Sequence, residues 1–173
     1  LIEATIELPD QRLRAVKRVL FSERPSPHHN PPPLEFTFGE VSVHADGQTP
    51  WLCSPVDTSM LSVAPGSDTE IVPATVDGME TWLEPYRAFT AQFELVDRTE
   101  RAFYSWFGTG GSFDRGLTRS PLRNQIWTSP RQPGCYRLWL VARDGHGGAS
   151  ACGWDVGVGD EADWPDELRC AAP

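Results

Sequence analysis

The chain has 173 residues, 39% hydrophobic and 23% charged, with 16 Pro and 15 Gly, a globular composition rich in turns that leaves little room for long helices. Its formal charge of -9 and pI near 4.8 exclude phosphate-backbone binding as a function, because nucleic-acid affinity rests on basic side chains, and disfavour anionic membrane surfaces for the same reason. No run of about 18 apolar residues occurs, so no transmembrane helix is predicted.

In chain order, residues 13–21 (LRAVKRVLF) suit a helix through Leu13, Val16 and Leu20 and a strand through their β-branched and aromatic content. Residues 22–33 carry five prolines and predict an extended, partly polyproline-like connector. Residues 34–44 (LEFTFGEVSVH) alternate apolar and polar, with a phase shift at Gly39 that predicts two strands about a tight bend. Ala45-Asp46-Gly47 supplies turn chemistry. Two short strands are expected around the turn Pro65-Gly66-Ser67-Asp68, and a further strand where Phe89, Ala91, Phe93 and Leu95 alternate. Strands follow at residues 101–108 and 124–130. CYRLWLVAR (135–143) and ASACGWDVGV (149–158), flanking DGHGG, read as an antiparallel hairpin.

The run YSWFGTGGSF (104–113), then WTSP (127–130), then PGCYRLWLVARDGHGGAS (133–150) resembles the final strands of bacterial immunoglobulin-like and PKD-type domains. VAPGSDTEIVPATV (63–76) looks like their opening strand pair, and the N-terminal pattern is similar to segments that precede such domains in uncharacterised secreted or lipid-anchored proteins of myxobacteria and their relatives. Where the PKD-type pattern has an acidic W-D-F-G-D-G, this chain has Trp106-Phe107-Gly108-Thr109-Gly110-Gly111, and its 78–100 stretch is longer than usual. The resemblance implies an all-β, immunoglobulin-like antiparallel β-sandwich over residues 60–159. Residues 1–59 are expected as an N-terminal β extension or partial second sandwich, and residues 160–173 as an acidic tail.

Strand alternation leads to the same fold. In the last hairpin Tyr136, Leu138, Leu140 and Ala142 share a core face, and Cys135, Arg137, Trp139, Val141 and Arg143 the outer face. Cys152, Trp154, Val156 and Val158 face the core from the partner strand, with Trp106 filling the space between sheets. Cys135 and Cys152 therefore lie on opposite faces of one sheet and cannot bond. Of the two remaining connectivities, the tail folding back to the start of the 135 strand favours Cys135 with Cys170 and Cys53 with Cys152. Two disulfides imply an oxidising compartment: extracellular, cell-surface or periplasmic. The start at Leu1 instead of Met points to a processed N-terminus, with a removed signal peptide or an upstream lipidated Cys in view.

No nucleophile elbow, zincin helix or phosphate loop occurs, and the Asp97/Glu100 and Asp160/Glu161 pairs read as turn and surface charge. His28 and His29 point oppositely on an extended segment and His146 decorates a turn. Neither metal nor cofactor is expected, and the chain is read as non-enzymatic. The candidate binding residues are Trp139 and Arg137 on the outer face and the loop tryptophans Trp51, Trp82 and Trp164. The expected partner is a protein in an envelope or extracellular assembly; the alternative is a glycan stacked on the loop tryptophans.

Overall fold

The computed structural model describes residues 2–8, 11–17, 29–45, 51–57, 60–75 and 80–170. The strands β1 (Ile2–Leu8) and β2 (Gln11–Lys17) pair antiparallel, Ile2 opposite Lys17 and Leu8 opposite Gln11. The helix-or-strand ambiguity at residues 13–21 therefore resolves as strand through Lys17, and residues 18–21 lie outside the described set. The turn signal at 46–47 also lies outside it.

Next come β3 (Glu35–Phe38), β4 (Val41–Ala45), β5 (Cys53–Pro55), β6 (Leu61–Val63) and β7 (Asp68–Pro73). They are followed by β8 (Pro85–Phe89), β9 (Leu95–Thr99), β10 (Phe103–Gly108), β11 (Ser112–Phe113) and β12 (Leu117–Arg119), then β13 (Gln125–Thr128), β14 (Gly134–Arg143) and β15 (Ala149–Val158). They build an all-β sandwich. One sheet has the order β12-β10-β14-β15-β6, the other β11-β13-β7-β3-β4-β5. Pairing within each sheet is antiparallel except that β6 runs parallel to β15.

The alternation expected of the last hairpin is present. Tyr136, Leu138, Leu140 and Ala142 are buried on β14, and Cys152, Trp154, Val156 and Val158 on β15. The sheets meet through rings: Trp154 packs on Phe36 at a centroid distance of 4.5 Å, and Trp106 on Phe113 at 6.2 Å. Cys53 of one sheet is bonded to Cys152 of the other, and Cys135 to Cys170, the two pairings favoured once the faces exclude Cys135 with Cys152 and the tail folds back to the 135 strand. Gly39, at φ +59°, makes the bend between β3 and β4 and donates its N–H to the Glu70 carbonyl at 2.8 Å.

Strands β3, β4 and β5 precede residue 60, yet they form half of the six-stranded sheet. The residue 59/60 division thus falls inside the sandwich, because the pairing of β3 with the distant β7 leaves no local trace in sequence. Every edge strand of the two sheets, β12, β6, β11 and β5, is two or three residues long, which limits unwanted pairing with other chains.

The acidic tail is docked. Two 3-10 turns, Glu161–Asp163 and Asp166–Leu168, bring Trp164 over β15, where its Nε1 donates to the Val158 carbonyl at 3.0 Å. A Cβ at Gly157 would stand 2.8 Å from the Trp164 ring, so glycine leaves the room it occupies. No helix among the described residues is long and apolar enough to cross a membrane.

Candidate functional site

The stretch in which Phe89, Ala91, Phe93 and Leu95 alternate is not a core strand. It is the end of a separate two-stranded hairpin, β8 with β9, in which Phe89 stands opposite Leu95 and Arg87 opposite Asp97. Thr90 makes the turn. Its N–H donates to the Glu94 carbonyl at 2.8 Å, its carbonyl accepts from the Phe93 N–H at 3.0 Å, and its Oγ1 accepts from the N–H groups of Gln92 and Glu94. A threonine that satisfies so many local backbone groups reverses the chain in the middle of an apolar pattern.

The turn holds Phe93 at φ +63°, the only non-glycine residue of positive φ among those described, a conformation that costs a bulky residue about 1–2 kcal/mol. Phe93 is 85% exposed, Phe89 68% and Leu95 43%. Three apolar side chains thus gather in water at one tip, one on a strained backbone, where packing offers no return. Their contribution must come from elsewhere.

The hairpin root is anchored to the sandwich. The Glu84 N–H donates to Glu100 Oε2 and the Glu100 N–H to the Glu84 carbonyl, both at 3.0 Å. Tyr86 meets the His146 ring edge-on at 3.8 Å, and His146 Nδ1 lies 3.6 Å from Glu100 Oε1. Two expectations are corrected here. Glu100 is 4% exposed, so it is a buried acid and not surface charge, and His146 is packed between the hairpin and the sandwich. His29 joins the same region through Nδ1 to Glu84 Oε1 at 2.8 Å.

The other candidate residues divide. Trp139 lies on the outer face of the five-stranded sheet, opposite Phe107 on one side and Gly153 on the other; Gly153 in turn bridges Leu52. The Trp139 indole covers Gly153, where a Cβ would come 2.8 Å from its ring. Arg137, its neighbour on that face, gives Nε and Nη2 to the two Asp155 oxygens at 2.7 and 2.6 Å. Those hydrogen bonds raise its pKa further and occupy the forked head that a ligand carboxylate would need. Trp51 is 66% exposed, at the chain edge beside β15. Trp164, expected as a loop aromatic, is 6% exposed and belongs to the closing tail. The site residues therefore do not converge, and the aromatic side chains offered most fully to water, Phe93 and Phe89, are ones that alternation assigns to the core.

Trp82 lines a cavity of about 370 Å³ with Pro32, Pro33, Glu80 and Tyr104. Glu80 is buried there and accepts from Tyr104 Oη at 3.1 Å and from Ser120 Oγ at 2.7 Å, with Arg123 Nη1 3.5 Å away. Burial first, and then the Glu80 charge, push the Tyr104 phenol far above its usual pKa, so it stays a hydrogen-bond donor. Cys135, Asp155 and Cys170 are the one set of three ligand-type side chains close enough to share an ion among the described residues. Their two sulfurs are joined as a disulfide and provide no thiolate. No family model, no curated protein and no solved structure matches the chain.

Proposed function

We propose that the protein is a non-enzymatic immunoglobulin-like module, acting outside the cytoplasm at the cell surface or in an extracellular assembly, that holds a protein partner with the tip of its β8–β9 hairpin. The observation that carries this reading is Phe93: 85% exposed and held at positive φ by the Thr90 turn. An exposed aromatic pre-ordered by its own backbone fits the anchor of an interface, because its ordering cost is met before the partner arrives. The two disulfides support the compartment, and the strand motifs at 104–113 and 133–150 support the immunoglobulin-like type.

Phe93→Gly tests it. Relief of the left-handed strain should leave stability unchanged or raise it by up to about 1 kcal/mol, while partner adducts formed by a photo-crosslinking residue at position 95 in native cells should disappear. A fall in melting temperature of several degrees, or adducts that persist, would show that the tip packs within the molecule or does not bind.

A second reading rests on the cavity. A tryptophan, a tyrosine hydroxyl and a carboxylate around 370 Å³ are the chemistry of a sugar subsite, the ring stacking and the polar groups reading hydroxyls. Binding on a glycan array that is lost in Trp82→Ala, with Phe93→Gly unaffected, would move the function to this cavity. Absence of binding to any glycan would retire it.

A further inference from the structure

The two disulfides stand in different surroundings. Cys53 and Cys152 are 6% and 0% exposed between the sheets, so a reagent reaches their sulfurs only when the sandwich opens. Cys135 and Cys170 are half-buried, at the start of β14 and in the tail. The backbone of that tail bonds largely to itself: the N–H groups of Asp163, Trp164 and Leu168 donate to the carbonyls of Asp160, Glu161 and Pro165. Besides the bridge, it rests on the sandwich through Trp164, seated over Gly157, and Leu168, whose Cβ would lie 2.7 Å from a Cβ at Gly134. Residues 160–170 carry five acidic side chains against one arginine, and on a chain of net negative charge this excess opposes their docking.

A charged pair stands beside the half-buried bridge. An Asp155 carboxylate oxygen lies within 4.8 Å of both sulfurs. Arg137, two positions along β14 from Cys135, holds that carboxylate with Nε and Nη2 at 2.7 and 2.6 Å. Thiol–disulfide exchange brings one thiolate in and sends another out. A bare carboxylate at this distance opposes both anions, and the guanidinium cancels it.

We propose that Cys135–Cys170 is a thiol-exchange site, a latch opened by a dithiol and kept reactive by the Arg137–Asp155 pair. One thiolate of the dithiol attacks Cys170 Sγ and forms a mixed disulfide, while the Cys135 sulfur leaves with the electron pair of the broken bond and takes a proton from water. The second thiol of the dithiol, as thiolate, displaces Cys170, which is protonated in turn. The dithiol ends as its own disulfide, oxidised by two electrons, and the protein bridge as two thiols. Residues 160–170 then lose their covalent hold and leave β14 and β15, while Cys53–Cys152 keeps the sheets joined. In an oxidising compartment the latch rests closed and opens where a dithiol donor meets it. The inference stands independently of the partner proposed for the hairpin.

The full chain with both bridges formed is treated with dithiothreitol, quenched at intervals with iodoacetamide and mapped by peptide mass spectrometry. Cys135 and Cys170 should be labelled faster than Cys53 and Cys152 by about a hundredfold or more. Hydrogen exchange of the form with one bridge open should show protection lost over residues 160–170 and kept over β14 and β15. Arg137→Gln should slow the first reduction about three- to tenfold by leaving the Asp155 charge bare, and adding Asp155→Asn should restore the rate. Loosened packing alone would speed reduction in both variants. Equal labelling of all four cysteines, protection that persists in the opened tail, or an Arg137→Gln chain reduced as fast as the wild type overturns the proposal.

Discussion

Replacing Cys53 and Cys152 together by alanine should lower the unfolding free energy by about 4–5 kcal/mol, the loop-closure entropy of a bridge of this span in the chain-entropy model. The two residues are 99 apart in sequence and lie in different sheets, so the bridge restricts the unfolded chain over most of the described length. For a domain of this size the loss corresponds to a melting temperature lower by about 8–20 °C. The matched change at Cys135 and Cys170, 35 residues apart, should cost about 3–4 kcal/mol and release chiefly the tail. Denaturant titration reads both energies. The slope should rise in the first variant, because the freed chain expands further and exposes more surface. A smaller loss for the long bridge than for the short one would mean that the unfolded chain already holds its sheets together without the sulfur link.

Glu80→Ala is expected to cost about 3–5 kcal/mol, as removal of one partner from a buried ion pair leaves the other charge uncompensated. Glu80 is 7% exposed and the Arg123 side chain 12%, and Arg123 Nε and Nη1 have no hydrogen-bond partner, so the carboxylate at 3.5 Å is the counter-charge on which that guanidinium depends. The same substitution strands the Tyr104 and Ser120 hydroxyls. Replacing Glu80 and Arg123 together by leucine should recover most of the loss, because the desolvation of both charges disappears with them. Urea unfolding of the single and double variants measures the coupling. A loss below about 1 kcal/mol in Glu80→Ala would show that water reaches Arg123.

The most legible parts of this fold are those whose neighbours are also neighbours in sequence. The β14–β15 hairpin declares itself because a ten-residue alternation on either side of an Asp/Gly turn has one consistent set of faces, and those faces suffice to sort Cys135 from Cys152. The β8–β9 hairpin misleads for a physical reason. Phe89, Phe93 and Leu95 keep the spacing of a buried strand face, while the reversal is made by one hydroxyl, Thr90 Oγ1, whose backbone bonds no periodicity registers. The opposed charges of Arg87 and Asp97, paired across the hairpin at 3.4 Å, were the available signal. Trp164 shows the converse. Its sequence surroundings are acidic and loop-like, and its burial depends on a glycine seven positions upstream, Gly157, that leaves space on β15. Sheet membership of β3 to β5 was hidden for a related reason, since it is fixed by β7 and by Trp154, both far along the chain.

The path of the chain between the two sheets also fixes an order of events. From β5 onward it crosses to the other sheet at β6, back at β7, and crosses again at each of β10, β11, β12, β13 and β14. A ribosome that has delivered everything through β14 has delivered a chain in which β6 lacks its pairing partner, Cys53 its sulfur and Phe36 the ring it rests on. With so many contacts between distant positions, closure is slow and waits for the last strand. The sandwich therefore closes only once β15 has been delivered, and until then its strands can be carried or threaded as an open chain.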